Sequence, residues 1–307
     1  MIACIFSGQG SQSVGMGQKL AASSPAARKI YADATEVAGI DLLTLDESQL
    51  AQTRYAQLAI VTLSLAAFAA FREAGDPGQA LAFAGFSLGE YSALSAAGVL
   101  DTTAVLRLVE ERSRLMQQAA EANPGAMYAI LGLGDDTVES ILAQPEFAGQ
   151  VYPVNYNCPG QLVIAGAEAK TASAADALKA AGAKRALKLT VNGAFHTRFM
   201  ADAAPGLSAF AKALDFAQPV GDLYSNRTGE VVPAGIDWPD YLAEHLCNAV
   251  LWTREVQALA AAGATTFIEF GPGKVLSGLV KKILPGATIT NVDDPDSLAA
   301  TLAALKA

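Results

Sequence analysis

The sequence predicts a mixed α/β protein in which one α/β domain carries a small antiparallel unit inserted into it. Three observations support this. Short apolar runs alternate with helical patterns through the first part of the chain, as in a parallel sheet with helices on its faces. From residue 125 the order becomes strand, helix, strand, strand, helix, strand, the ferredoxin-like plan in which two split units make one small antiparallel sheet. Beyond residue 192 the α/β texture returns, with a strand at 266–270 running into a glycine-rich turn and a further helix.

In chain order, residues 2–6 form an apolar first strand. Residues 58–71 form a helix; at 14 residues, containing Thr62 and Ser64 and stopped by Arg72 and Glu73, it is too short to cross a bilayer and is expected to be buried. A strand follows at 81–84, then a helix-favouring stretch at 90–97 that ends at Gly98. Asp101 is a good N-cap, and Val105, Leu108, Val109, Leu115, Met116 and Ala119 recur at the spacing of an amphipathic helix. The inserted unit takes its strands from 126–133, 151–157, 162–165 and 185–191. Its helices start after Asp135 or Asp136 and span 167–181, closed by Gly182, and a Pro159-Gly160 turn separates its middle strands. The expected boundaries are 1–124 and 192–307 for the larger α/β unit and 125–191 for the insert. With no repeat, low-complexity segment or long linker, the two should pack closely and leave a cleft.

A chain of 307 residues that is 52% hydrophobic and 17% charged has apolar surface enough for a large core. Its N-terminus has no basic stretch and no long apolar segment, which sets the expectation of no signal peptide and a cytoplasmic location. Cys4, Cys158 and Cys247 are odd in number and widely spaced without a metal-ligand pattern, as expected of reduced thiols. A net charge of −9 gives no reason to bind nucleic acid or an anionic membrane, and an acidic partner would need a local basic patch.

Gly85-Phe86-Ser87-Leu88-Gly89 sits between an apolar strand and a helix-favouring stretch, the context of a nucleophile elbow. Such a turn is too tight for side chains at the flanking glycines, and it pushes Ser87 out over the sheet's edge. The Leu88 N–H then faces an oxyanion from the start of a helix. This pattern does not separate a hydrolase from a transferase. Of the two histidines, His245 falls in a helical stretch with Tyr241, Leu242 and Leu246 and suits packing or surface. His196 follows a strand's end and a loop, where a general base for Ser87 belongs; a loop-capping role is the alternative. Arg112 lies on the apolar stripe of its helix, so its guanidinium needs a carboxylate, either a structural acid or a substrate. Ser7-Gly8-Gln9-Gly10-Ser11-Gln12 follows the first strand but has Ser13 where a dinucleotide fingerprint demands glycine, which rejects a nucleotide site. It is either a plain turn or the source of a second oxyanion N–H.

Taken together, Gly8-Gln9-Gly10-Ser11-Gln12, Gly85-Phe86-Ser87-Leu88-Gly89-Glu90-Tyr91-Ser92-Ala93-Leu94, Arg112 with Met116-Gln117, Phe195-His196 and Gly271-Pro272-Gly273-Lys274-Val275-Leu276 closely resemble malonyl-CoA:acyl carrier protein transacylases. Asn155-Tyr156-Asn157, Pro159-Gly160-Gln161 and Ala181-Gly182-Ala183-Lys184-Arg185-Ala186-Leu187 extend the resemblance through the insert, so it covers nearly the whole chain.

The resemblance implies an α/β-hydrolase-like large subdomain with an inserted ferredoxin-like one and the active site between them. It implies Ser87 as nucleophile, His196 as base and later acid, the N–H groups of Gln9 and Leu88 as oxyanion hole, and Arg112 as ligand of the malonyl carboxylate. The Leu251 backbone carbonyl would orient His196. Malonyl passes from coenzyme A to Ser87 and then to the phosphopantetheine thiol of acyl carrier protein, with no metal or bound cofactor. The carrier is expected to dock on Lys184, Arg185 and Lys188, joined by Lys281 and Lys282.

This chain departs from the family's pattern in having Phe86 where histidine is usual, Leu251 where glutamine is usual, and Ser7 and Leu58 where prolines are usual. Phe195 gives Ala-Phe-His, which resembles malonyl-selective polyketide acyltransferases. A discrete polyketide-synthase acyltransferase is therefore the alternative, with a serine thioesterase behind it.

Overall fold

The computed structural model describes residues 1–75, 77–191 and 193–306. Asn192 and Ala307, the expected ends of the second catalytic segment, lie outside the described residues. Among those described, nine strands form two sheets. The larger is parallel, in the order β7-β2-β1-β8-β9, with β1 Ile2–Phe6, β2 Leu81–Gly85, β7 Asp222–Leu223, β8 Thr266–Phe270 and β9 Thr288–Val292. β1 lies at its centre and is buried along its whole length, because both faces are covered by helices. The smaller sheet is antiparallel, in the order β4-β5-β3-β6, with β3 Gly125–Leu131, β4 Val151–Cys158, β5 Gln161–Ala167 and β6 Arg185–Lys188. Helices Asp135–Leu142 and Glu168–Ala180 connect these strands and cover one face, burying Val138, Leu142, Ala174 and Leu178 with Ile130, Leu162 and Ile164.

The expected elements are present; β3 ends at Leu131 rather than 133 and β5 spans Gln161–Ala167 rather than 162–165, and two further differences of extent bear on the core and the site. The apolar helix runs over Thr53–Glu73, 21 residues rather than 14, long and apolar enough by length and composition alone to cross a membrane. It is instead largely buried in the fold, where Phe68 and Phe71 pack on Phe270 of β8. β6 ends at Lys188, short of the expected 191. The Leu189 N–H still reaches the Met127 carbonyl, and then the chain leaves the ladder so that Leu189 and Val191 can line a pocket.

One seam joins the sheets at the site. Val154 and Tyr156 of β4 exchange backbone hydrogen bonds with Val250, at 2.8 and 2.9 Å, in the segment that leads into helix Trp252–Ala261. That segment also carries Asn248, and its position is therefore fixed from the small sheet.

Candidate active site

β1 and β2 end side by side, and their loops bring Gln9 and Ser87 together. The glycines around Ser87 follow from contact distances: a Cβ on Gly89 would lie 2.0 Å from the Phe6 carbonyl oxygen, and one on Gly85 2.0 Å from the Gly89 backbone. Among the described non-glycine residues only Ser87, at φ 52°, and His196, at φ 60°, adopt positive φ. Two strained residues in contact at a strand's end mark a functional site.

The Ser87 hydroxyl lies 2.7 Å from His196 Nε2. His196 Nδ1 faces two backbone carbonyls, Asn248 at 3.0 Å and His245 at 3.2 Å. Carbonyls only accept, so Nδ1 carries the proton and Nε2 is the free acceptor for the Ser87 O–H. The expected orienting carbonyl of Leu251 does not take part. It accepts instead from the Glu255 N–H as the first turn of helix Trp252–Ala261, while the Leu251 N–H donates to the Asn226 carbonyl. Burial, and then the nearby Arg112 cation, push the His196 pKa down to about 4. The ring is neutral at physiological pH, as a base must be.

Arg112 projects inward from helix Thr102–Ala122 and is 1% exposed. One terminal nitrogen donates to Gln57 Oε1 at 2.7 Å and the other approaches the Ser87 hydroxyl at 3.5 Å; the guanidinium lies over the Tyr91 ring, 5.1 Å from its centre. Its Nε has no hydrogen-bond partner, and among the described residues it makes no ion pair. Burial lowers its pKa. The structural acid that the sequence left open as its partner is thus absent at bonding distance among the described residues.

These groups line a pocket of about 100 Å³ whose other walls are Phe86, Met116, Met127, Asn155, Leu189, Val191 and Phe195, with Met127 and Asn155 coming from the small sheet. Phe86 stands edge-on to Trp252 at 5.7 Å, which makes this side of the pocket apolar where a histidine would be polar. Gln9 and Leu88 also face the pocket, and neither backbone N–H has a partner among the described residues. The Ser87 N–H is unlike them: it donates to Asn226 Oδ1 at 2.6 Å. Ser7, ahead of Gln9, donates at 3.2 Å to the buried Glu269, which also accepts from the N–H groups of Leu276 and Ser277 at the start of helix Val275–Ile283. That hydroxyl ties down the loop where proline is usual.

Several contacts here had no sequence signal. Beneath the elbow, buried Glu90 accepts from Tyr241 Oη and from the Asn226 N–H, the latter at 3.1 Å, and burial raises its pKa to about 7. His245 is fully buried against this group, its pKa pushed well down by burial, so packing rather than surface is its setting. Gln57 stands one residue before the expected start of its helix, and only its position behind Arg112 reveals it. Arg185 and Lys188 are exposed on β6, Lys184 is exposed just before it, and Lys281 and Lys282 are exposed on helix Val275–Ile283. None of the five lines the pocket, but Lys188 directly precedes the wall residue Leu189. Cys4 and Cys158 are buried, Cys247 half-buried, and all three are unbridged.

Known proteins carry the same architecture. The acyl transferase domain family matches residues 3–292. The malonyl CoA-acyl carrier protein transacylase of Escherichia coli strain K12 is 40% identical over 304 residues, 98% of each chain. A solved malonyl-CoA:acyl carrier protein transacylase from Xanthomonas oryzae pv. oryzae superposes with a TM-score of 0.92 at 38% identity, covering 99% of this chain and 98% of that one. A type II polyketide-synthase acyl-carrier protein in complex with its malonyl-transacylase matches with a TM-score of 0.92 at 38% identity, covering 99% of both chains.

Proposed function

Because the chain belongs to the acyl transferase domain family and is similar along its length to malonyl-CoA:acyl carrier protein transacylases, we infer that Ser87 and His196 perform malonyl transfer in the pocket described. The protein is an acyltransferase that moves malonyl from malonyl-CoA to acyl carrier protein in fatty-acid synthesis. Ser87 Oγ attacks the thioester carbonyl while His196 Nε2 takes its proton. The N–H groups of Gln9 and Leu88 receive the oxyanion, and the coenzyme A sulfur leaves with the proton from His196. The carrier's phosphopantetheine thiol then gives its proton to His196 and attacks the ester, and Ser87 recovers a proton as it departs. Every step uses groups of the chain and its substrates, with no metal or resident cofactor.

The observation that carries the reading is Arg112, a buried cation 3.5 Å from the nucleophile that makes no ion pair among the described residues. A malonyl ester on Ser87 brings its free carboxylate to that guanidinium, and an acetyl ester brings nothing. We also read the architecture as an α/β-hydrolase-like subdomain, 1–124 and 192–307, with a ferredoxin-like insertion, 125–191; the β4-β5-β3-β6 order supports the insertion. Docking of the carrier on Lys184 and Arg185 is part of the same proposal, supported by their exposure at the start of the strand that leads into the pocket wall. Unbridged cysteines agree with a cytoplasmic enzyme.

Intact-protein mass spectrometry after brief mixing with malonyl-CoA, with Ser87→Ala as control and a carrier-protein chase, tests the function. A malonyl adduct on Ser87 that passes to the carrier faster than to water is expected. Loss to water at one rate with or without carrier would make the protein a thioesterase. A polyketide carrier is the second reading, favoured by the likeness to the polyketide-synthase complex and by Phe195, and relative rates with the two kinds of carrier decide it.

A further inference from the structure

Asn226 follows Tyr224 and Ser225 at the edge of the parallel sheet, is fully buried, and lies outside the pocket. All of its hydrogen-bonding groups are engaged, each with a distant part of the chain. Oδ1 accepts from the Ser87 N–H at 2.6 Å, with His245 Nε2 at 3.3 Å; Nδ2 donates to the Gly85 carbonyl at 2.6 Å and to Glu255 Oε2 at 2.9 Å. Its backbone N–H donates to Glu90 Oε2 at 3.1 Å, and its carbonyl accepts from the Leu251 N–H at 2.8 Å. The orientation of the amide is unambiguous, because a backbone N–H only donates and a carbonyl only accepts.

The two shortest of these bonds straddle the strained turn. Ser87 holds φ 52°, a conformation that costs about 1 kcal/mol or more in a residue with a side chain and persists only when its surroundings impose it. Gly85 and Ser87 flank the turn, and one amide grips both. Relaxation of Ser87 to negative φ would break its bond to Asn226 and swing Oγ away from His196. The bond also turns the Ser87 N–H to the side of Asn226, which leaves Leu88 and Gln9 as the elbow's donors to an oxyanion. At the other end, the Asn226 carbonyl holds Leu251, three residues beyond the Asn248 carbonyl that fixes His196 Nδ1.

We propose that Asn226 is a positioning residue of the transfer reaction: it clamps Ser87 in the left-handed conformation that meets His196 and anchors the segment that orients His196. The proposal rests on Ser87 as nucleophile. In Asn226→Ala, kcat for malonyl transfer should fall about a hundredfold, as a small misplacement of reacting groups does, while KM for malonyl-CoA stays within about threefold because Arg112 and the pocket walls are untouched. The rate of Ser87 labelling by an uncharged fluorophosphonate, which needs the dyad but not Arg112, should fall in parallel.

Wild-type protein supplies a measurement that does not depend on the variant folding. By amide hydrogen exchange the Ser87 N–H should be protected, and the Gln9 and Leu88 N–H groups should exchange faster. Labelling of a folded Asn226→Ala at the wild-type rate would overturn the proposal, as would a Ser87 amide that exchanges as fast as that of Gln9. Failure of wild-type Ser87 to take up malonyl would instead remove the functional reading on which it rests.

Discussion

Arg112 carries a charge with no anion at bonding distance among the described residues, and its energetics follow from that. A charge-assisted bidentate bond is worth about 1.5 to 3 kcal/mol, so Arg112→Ala should lower kcat/KM for malonyl-CoA by roughly ten- to a hundredfold. Acetyl-CoA should lose much less, and equal losses would contradict the assigned contact. The same cation acts on His196, whose pKa is lowered to about 4 by burial first and by Arg112 second. The base works when neutral, so kcat/KM should hold as pH falls through 6 and decline only towards about 4. Arg112→Gln removes one cause of the depression and should move that acid limb to higher pH. An unmoved limb in the variant would mean that the cation does not face the base. Sequence spacing placed Arg112 on an apolar stripe and could go no further, because what it lacks is a neighbour from elsewhere in the chain.

The elbow depends on the close approach of β1, β2 and helix Gly89–Ala96. A Cβ on Gly89 would meet the Phe6 carbonyl at 2.0 Å, backbone against backbone, with no flexible side chain to give way. Gly89→Ala should therefore destabilise the fold by about 3 kcal/mol or more, read as a lower midpoint in urea with an unchanged slope. A stable and fully active Gly89→Ala would show that helix and strand can separate without cost. These elements were legible in the sequence because their signals are local: an apolar run, a glycine pair and a helix-favouring stretch within a dozen residues. The premature end of β6 was not legible, since residues 189–191 are apolar enough for a strand and are diverted only by the pocket that they line.

Over the whole molecule, a net charge of −9 opposes an acidic partner, so local basic groups must guide one in. Lys188 is paired with Glu168 at 2.7 Å and Lys282 donates to Gln161 at 3.3 Å, whereas Lys184 and Arg185 make no ion pair among the described residues. Lys184→Glu with Arg185→Glu should raise KM for carrier protein by about tenfold or more and flatten its dependence on salt, while malonylation of Ser87 proceeds at the wild-type rate. An unchanged KM would move docking to another face. The sequence by itself determined the two-sheet α/β plan, the glycine-flanked turn at Ser87 and the expectation of His196 rather than His245 beside it, since each follows from local pattern or strand-end placement. Tertiary structure alone decided that His196 is oriented by Asn248 and His245 rather than by Leu251, and that no acid among the described residues pairs with Arg112. It also brought Asn226 to Ser87 across 139 positions of sequence. These contacts depend on where separate loops come to rest when the two sheets pack, and spacing along the chain holds no record of that.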